Sequence, residues 1–393
     1  MFNFEYYTPT KVVFGKGVSE KVGDLVKEYG FKKVLIHYGG KSAIRSGLID
    51  LVKSSLDAAG VSYVTLGGVV PNPRITLVYE GIELCKKENV DLILAVGGGS
   101  VIDSAKAIGY GTASGGDAWD FFSFKRKPSA CLPIGVILTI AAAGSEMSNS
   151  CVITNEDGNI KRGCSSNLGR PLFALLDPEL TMSLPSYQTS CGCTDILMHT
   201  MERYFTQGGN MELTDSIAEA LMRTVISNSR KLIKDPDDYD ARAEIMWAGS
   251  LSHNGLTECG NGGSDFATHR LEHEVSAVYD VAHGAGLAAL WGSWARYVHL
   301  ECLDRFYKFA VKVMDVPPSD DKAAVALLGI SAVEDFFREI NMPTSLKELG
   351  LTLSKEDLSL LADKCALSTR GSTGAAKKLY PADMLAIYTA ANV

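Results

Sequence analysis

Apolar positions along the first half of the chain alternate between two rhythms. Short β-rich runs at 33–37, 62–66, 92–96 and 134–138 are separated by stretches of helical spacing such as 46–59 and 75–88. Strands alternating with amphipathic helices predict βαβ units around a mainly parallel sheet. After Leu184-Pro185-Ser186 the β-branched clusters disappear, and helical periodicity takes over at 195–205, 213–233, 240–253 and 320–339. The pattern predicts an α/β, Rossmann-like dinucleotide-binding domain at 1–184 and an all-helical metal-binding and catalytic domain at 185–393.

Glycine-rich turns interrupt the strand ends. The run Ala95-Val96-Gly97-Gly98-Gly99-Ser100 passes from an apolar strand into a helix, and Gly39-Gly40-Lys41-Ser42 follows an earlier strand. Without side chains in the way, backbone N–H groups approach an anion closely, and a helix N-terminus adds favourable partial charge. A diphosphate is the expected occupant. The pattern is not G-x-G-x-x-G, but a third loop at 139–146 joins the other two. Loops at the carboxyl ends of parallel strands form the crevice where α/β sheets bind nucleotides.

Histidine is sparse except in one region. Four of the seven histidines fall between 253 and 283. Asp195 and His199 stand four residues apart on one helix face; His269, His273 and His283 follow. A carboxylate and imidazoles converging on a point are natural ligands for a divalent transition metal. Spacing does not decide between His269 and His273, which face the same way on one helix.

Composition narrows the class without changing this picture. With 393 residues the chain has room for two domains, and its net charge of −8 argues against a nucleic-acid partner. The longest apolar run, 131–144, contains Pro133 and falls short of the roughly 18 residues of a membrane span. The start Met1-Phe2-Asn3-Phe4-Glu5 is unlike a signal peptide, and the nine cysteines show no regular spacing. A cytoplasmic protein with reduced thiols is expected. Cys191-Gly192-Cys193 is too tightly spaced for a Cys-x-x-Cys pair and reads as packing, as do Trp119-Asp120-Phe121-Phe122, Cys259 and the strand-end His37. His253 has no ligand-like partner in sequence.

Motifs spread over nearly the whole chain resemble the iron-containing (group III) alcohol dehydrogenases, whose fold is shared with dehydroquinate synthase. They are Tyr7-Thr8-Pro9, Phe14-Gly15-Lys16-Gly17, Pro71-Asn72-Pro73, Gly97-Gly98-Gly99-Ser100-x-x-Asp103-x-x-Lys106, Gly144-Ser145-Glu146, Leu176-Asp177-Pro178, His269-x-x-x-His273 and His283-Gly284. The butanol dehydrogenase-like branch is the most similar. The resemblance implies that Asp195, His199, His269 and His283 bind one metal, Fe(II) or Zn(II), and that His273 is a non-ligand near the nicotinamide, able to relay a proton. It places Gly97, Gly98, Gly99 and Ser100 on the pyrophosphate, Asp103 near the nicotinamide end with a catalytic role, and Thr139 and Leu180 along the nucleotide. It implies a homodimer acting on primary alcohols and their aldehydes, with substrate in a cleft between the domains.

The choice of nucleotide turns on the first strand end. An acid there holds the ribose 2′-OH of NAD, yet Ile36-His37-Tyr38-Gly39-Gly40-Lys41-Ser42 contains none. Ser42 and Lys41 suit a 2′-phosphate, and Lys161 resembles a second phosphate-side lysine of NADP users. NADP(H) is therefore expected ahead of NAD(H). Two other classes compete with an alcohol dehydrogenase or a polyol dehydrogenase of the same superfamily. A lyase of the dehydroquinate synthase type needs more basic residues near the metal than Arg203 and Arg270, and a non-catalytic binding protein has no use for both sites.

Overall fold

The computed structural model describes residues 1–40 and 42–393, so the expectation placed on Lys41 lies outside the described residues. Packing divides the chain into Thr8–Leu184 and a second unit made of Pro185–Val393 with Met1–Tyr7. The expected boundary at Pro185 is where the units part. The first seven residues differ from expectation: Phe2 N–H donates to the Gly260 carbonyl at 3.0 Å, tying them to the helical unit.

Among the described residues, six strands build the main sheet of the first unit: β1 (Lys11–Phe14), β2 (Lys33–Tyr38), β3 (Ser62–Leu66), β4 (Leu92–Gly97), β5 (Ile134–Leu138) and, after a hairpin of β6 (Ser150–Asn155) and β7 (Ile160–Ser165), β8 (Phe173–Leu176). The order β1-β8-β5-β4-β2-β3 is parallel throughout. β4, β5 and β8 are buried along their whole length, which is why they read as unbroken apolar runs. Helices α1 (Val22–Glu28), α2 (Ser42–Arg45), α3 (Leu48–Ala59), α4 (Ile75–Glu88), α5 (Gly99–Ser114) and α6 (Trp119–Phe122) connect them. Alternation along β2 shows both faces covered. Val34 and Ile36 share a core with Val22, Val26, Val52 and Leu56 of α1 and α3, whereas His37 bonds Ser104 of α5.

Strand order reverses between β2 and β4, since β3 lies on one side of β2 and β4 on the other. The segments that begin at Gly39 and at Gly97 leave these two strands at the same edge, where open sheets bind ligands.

Among the described residues, nine α-helices follow in the second unit: α7 (Ser186–Tyr204), α8 (Glu212–Lys234), α9 (Tyr239–Ser252), α10 (Ala267–Tyr279), α11 (His283–Val298), α12 (Leu303–Lys312), α13 (Lys322–Glu339), α14 (Lys355–Ser368) and α15 (Pro381–Ala391). Side-chain caps set several starts. Asp238 accepts from Ala241 N–H, Asp321 from Ala324 N–H, and Ser354 with Asp357 forms a capping box; each is worth about 1 kcal/mol. Trp291 and Trp294 of α11 are fully buried, and Phe205 stacks on Phe306 at 4.1 Å. α7 starts nine residues before the predicted 195, because Pro185 ends the preceding turn while Ser186–Thr194 is too polar to show periodicity.

Candidate metal centre and nucleotide loops

Three helices of the second unit bring the acid and the histidines together. Asp195 and His199 lie on α7, His269 and His273 on α10, and His283 is the first residue of α11. Asp195, His199, His269 and His273 are buried. The Oδ1 atom of Asp195 lies 3.4 Å from His199 Nε2, 3.5 Å from His269 Nε2 and 3.8 Å from His283 Nε2. Ligands about 2.1 Å from a tetrahedral ion stand about 3.4 Å apart. Asp195 Oδ1 and His269 Nε2 are buried and make no hydrogen bond among the described residues. A carboxylate oxygen and three imidazole nitrogens converging at this spacing fit a divalent cation. His273 stands slightly apart, its ring 6.3 Å from His269 and 5.6 Å from His283. Of the two histidines that spacing left open, His269 groups with Asp195 and His199, whereas His273 groups with Glu272 and His283.

Two carboxylates that sequence reading missed complete the arrangement. Glu202 accepts a short hydrogen bond from His269 Nδ1 and a second from the His269 backbone N–H at 3.1 Å; Glu272 accepts one from His283 Nδ1. Each holds its imidazole with Nε2 directed inward. A signal existed: Asp195, His199 and Glu202 recur at i, i+4 and i+7, one face of a helix. Burial works against a charge on His269, but Glu202 and Asp195 overcome it and push the imidazole up to about 9. His199 has no such acid. Burial first, and then the neighbouring imidazoles His253 and His269, hold it well below the ordinary histidine value. Its ring lies 4.0 Å from that of His253, which sequence reading had set aside.

Glycine 284 explains the close approach of these helices. A Cβ there would lie 2.1 Å from the Cys191 carbonyl oxygen, so α11 abuts the backbone of α7 only because position 284 has no side chain. Cys193, two residues before Asp195 on α7, is buried and inert as packing predicts; burial pushes its thiol up to about 11.

In the sheet unit the predicted nucleotide residues collect along one edge. Gly39, Gly40 and Ser42 follow β2, Gly97–Ser100 follow β4, Thr139 follows β5, and Leu180 follows β8 and packs against the core. The loops touch. A Cβ on Gly98 would meet Ile140 at 3.0 Å and one on Gly99 would meet Ala143 at 3.1 Å, while Thr139 N–H donates to the Gly97 carbonyl. Gly98 caps α5 without a side chain, leaving the helix N-terminus open to an anion.

Asp103 and Lys161 are engaged within the protein. Asp103 accepts from Ser145 Oγ at 2.5 Å and from Val152 N–H at 2.8 Å. Burial raises its carboxyl, opposed by Lys106 and these donors. In this position it ties α5 to the 139–146 loop and the hairpin. Lys161 is buried and donates to Asn72 Oδ1 at 2.9 Å. Lys106, quoted only as part of a motif, proves to be a fully buried ammonium surrounded by the carbonyl oxygens of Ser145, Ser148 and Ser150 and the hydroxyls of Ser145 and Ser148.

Family models cover both units: the iron-containing alcohol dehydrogenase model matches residues 9–178 and the C-terminal model of the Fe-containing family matches 189–392. The chain belongs to the iron-containing alcohol dehydrogenase family. It is 40% identical over 389 residues to NADH-dependent butanol dehydrogenase A of Clostridium acetobutylicum, covering 99% of each chain. It is 33% identical over 358 residues to the NADPH-dependent aldehyde reductase YqhD of Escherichia coli, covering 89% of this chain and 90% of that protein. The crystal structure of NADH-dependent butanol dehydrogenase A from Thermotoga maritima superposes with a TM-score of 0.96 at 38% identity, covering 100% of this chain and 99% of that one. This family member is thus a metal-dependent oxidoreductase acting on alcohols, in the butanol dehydrogenase-like branch, and it works with a nicotinamide dinucleotide.

Proposed function

We propose that the chain interconverts short primary alcohols such as butanol and their aldehydes, using one Fe(II) or Zn(II) held by Asp195, His199, His269 and His283. The observation that carries this reading is the set of three Nε2 atoms facing one carboxylate oxygen at ligand spacing. A divalent ion in that position lowers the pKa of an alcohol hydroxyl and polarises an aldehyde carbonyl. Gly97–Ser100 would hold the diphosphate, and Gly39, Gly40 and Ser42 the adenosine side, of a nicotinamide dinucleotide, which would supply the hydride acceptor.

His273 is the group we assign to proton movement. It stands one turn from His269, with its ring 5.6 Å from that of His283, and an imidazole exchanges protons near neutral pH. Replacement by Gln is expected to keep stoichiometric metal and nucleotide binding, to lower turnover by about 10²-fold and to flatten the pH–rate profile. Loss of metal in His273→Gln points instead to a supporting role at the ligands. Asp103, by contrast, we propose to act through the loops it braces.

For the nucleotide, two observations weigh against the NADP(H) expected from the missing acid. Lys161 is buried against Asn72, and several full-length relatives at 38–42% identity carry NADH in their names. We therefore propose NAD(H) as the preferred partner. A cytoplasmic homodimer completes the reading. All nine cysteines are free thiols, in keeping with a reducing compartment, and no described helix is long and apolar enough to cross a membrane. Oxidation of NADH and of NADPH with a panel of aldehydes led by butanal tests the proposal. A kcat/KM ratio above one for NADH is expected; no turnover of any aldehyde by the metal-loaded protein would sink it.

A further inference from the structure

The two glutamates beside the metal cluster form a sequence of supports from helix to helix. Glu202 belongs to α7 and grips His269 of α10; Glu272 belongs to α10 and grips His283 of α11. Each helix supplies the acid that orients the histidine of the next. Both carboxylates are fully buried, and each receives Nδ1–H, so the imidazole presents its Nε2 lone pair to the Asp195 side. His199 is supported differently. Its Nδ1 makes no hydrogen bond among the described residues, and its ring rests between those of His253 and His269.

Space for Glu272 is created at one position. A Cβ at Gly286, three residues beyond His283 on α11, would lie 2.8 Å from Glu272 Oε1 and 2.9 Å from its Cγ. The obstructing atoms belong to a side chain, so a methyl group there moves the glutamate rather than the helix. Moving the glutamate breaks its bond to His283.

We infer that Glu202 and Glu272 are positioning residues that govern how tightly this protein holds its metal, and that Gly286 does so indirectly by leaving Glu272 its place. The inference rests on the ligand assignment proposed above. An acid on the far nitrogen fixes the tautomer and makes the ligating nitrogen more basic, and losing such a partner costs about 10–100-fold in metal affinity. A neutral amide fills the same volume without the charge, so Glu→Gln isolates this contribution from packing.

The test measures Zn(II) dissociation constants by chelator competition on the metal-depleted full chain, together with the visible spectrum of the Co(II)-loaded protein. Glu202→Gln and Glu272→Gln are each expected to bind 10–100-fold more weakly and to shift the Co(II) bands at saturation. Gly286→Ala is expected to weaken binding in the same direction as Glu272→Gln. Glu219→Gln serves as the control: this buried acid bonds Tyr204 and Lys308, away from every proposed ligand, and its affinity and spectrum are expected to match the parent. Parent-like affinity in both Glu202→Gln and Glu272→Gln overturns the inference, as does equal weakening in Glu219→Gln. A parent chain that binds no metal, or a His283→Ala variant that binds it equally well, overturns the ligand assignment instead.

Discussion

His37 in the sheet unit and His269 in the helical unit are both buried imidazoles, and their surroundings give them opposite characters. Both ring nitrogens of His37 end on the protein, Nδ1 on the Leu66 carbonyl and Nε2 on Ser104 Oγ, each at 2.9 Å. Burial lowers it to about 4, so it is a neutral, closed element of the core. His269 commits one nitrogen to Glu202 and turns the other towards Asp195 and two further imidazoles, with no hydrogen bond to it among the described residues. Lys106 repeats the closed case for a cation, its ammonium fully enclosed by five oxygens. The difference separates a buried polar group that is part of the scaffold from one prepared for a ligand. Satisfaction within the protein marks the first, and convergence of unsatisfied lone pairs marks the second.

The largest effect is expected where convergence is removed. Asp195→Ala and His283→Ala should each lose bound metal and lower aldehyde reduction by about 10³-fold or more, the scale of a lost metal-assisted step, while nucleotide binding is retained. Metal analysis and NADH titration check this. A fully metallated, active His283→Ala protein would place the cation elsewhere and remove the contrast with His37.

Much of this was legible in the chain, and the gaps have physical reasons. The four strands read at 33–37, 62–66, 92–96 and 134–138 coincide with β2 to β5 to within a residue, and the helix read at 75–88 is α4 to the residue. These elements are buried along their length or strongly amphipathic, so local pattern and tertiary environment agree. β1 and β8 escaped because four residues are too few to show a period. The hairpin of β6 and β7 carries polar Ser150, Asn155, Lys161 and Arg162, whose partners are distant in sequence. At the site, Asp195, His199, His269 and His283 stood out as scarce ligand types, whereas Glu202 and Glu272 are common residues. Only the fold shows which of many glutamates faces an imidazole. Lys106 was hidden for the same reason: a lysine on a helix looks solvated until 144–150 closes over it.

Lys106→Met should sharpen the comparison from the closed side. It leaves the carbonyls of buried Ser145 and Ser148 without the Lys106 ammonium and Asp103 without its neighbouring cation. Removing one member of a buried charged cluster costs about 3–5 kcal/mol. For a unit of this size, that corresponds to a fall in Tm of roughly 6–20 °C. The metal content is expected to stay at the parent level, because every proposed ligand lies in the other unit. Calorimetry with metal analysis on the same sample reads both. A Lys106→Met protein that loses its metal while melting like the parent would show that the scaffold reading of this lysine is wrong.

The smallest effect concerns His37 and depends on pH. Its native value is depressed to about 4, whereas an exposed imidazole in the unfolded chain titrates near 6.5. Above 6.5 neither state holds the proton, and the full stabilising contribution is present. As pH falls below 6.5 the unfolded chain takes up a proton that native His37 refuses, so stability declines until about pH 4. Between pH 7.5 and 5.5 the loss from this residue is about 1 kcal/mol, or roughly 2–4 °C in the Tm of a unit of this size. His37→Gln keeps an amide that donates towards Leu66 but no longer titrates. The measurement is the difference between parent and variant Tm at the two pH values, so that carboxylates titrating elsewhere cancel. A parent that loses 2–4 °C more than the variant on acidification marks His37 as a closed, neutral core group. Equal losses would mean that water or a proton already reaches the ring in the native state, and that the contrast with His269 is one of degree.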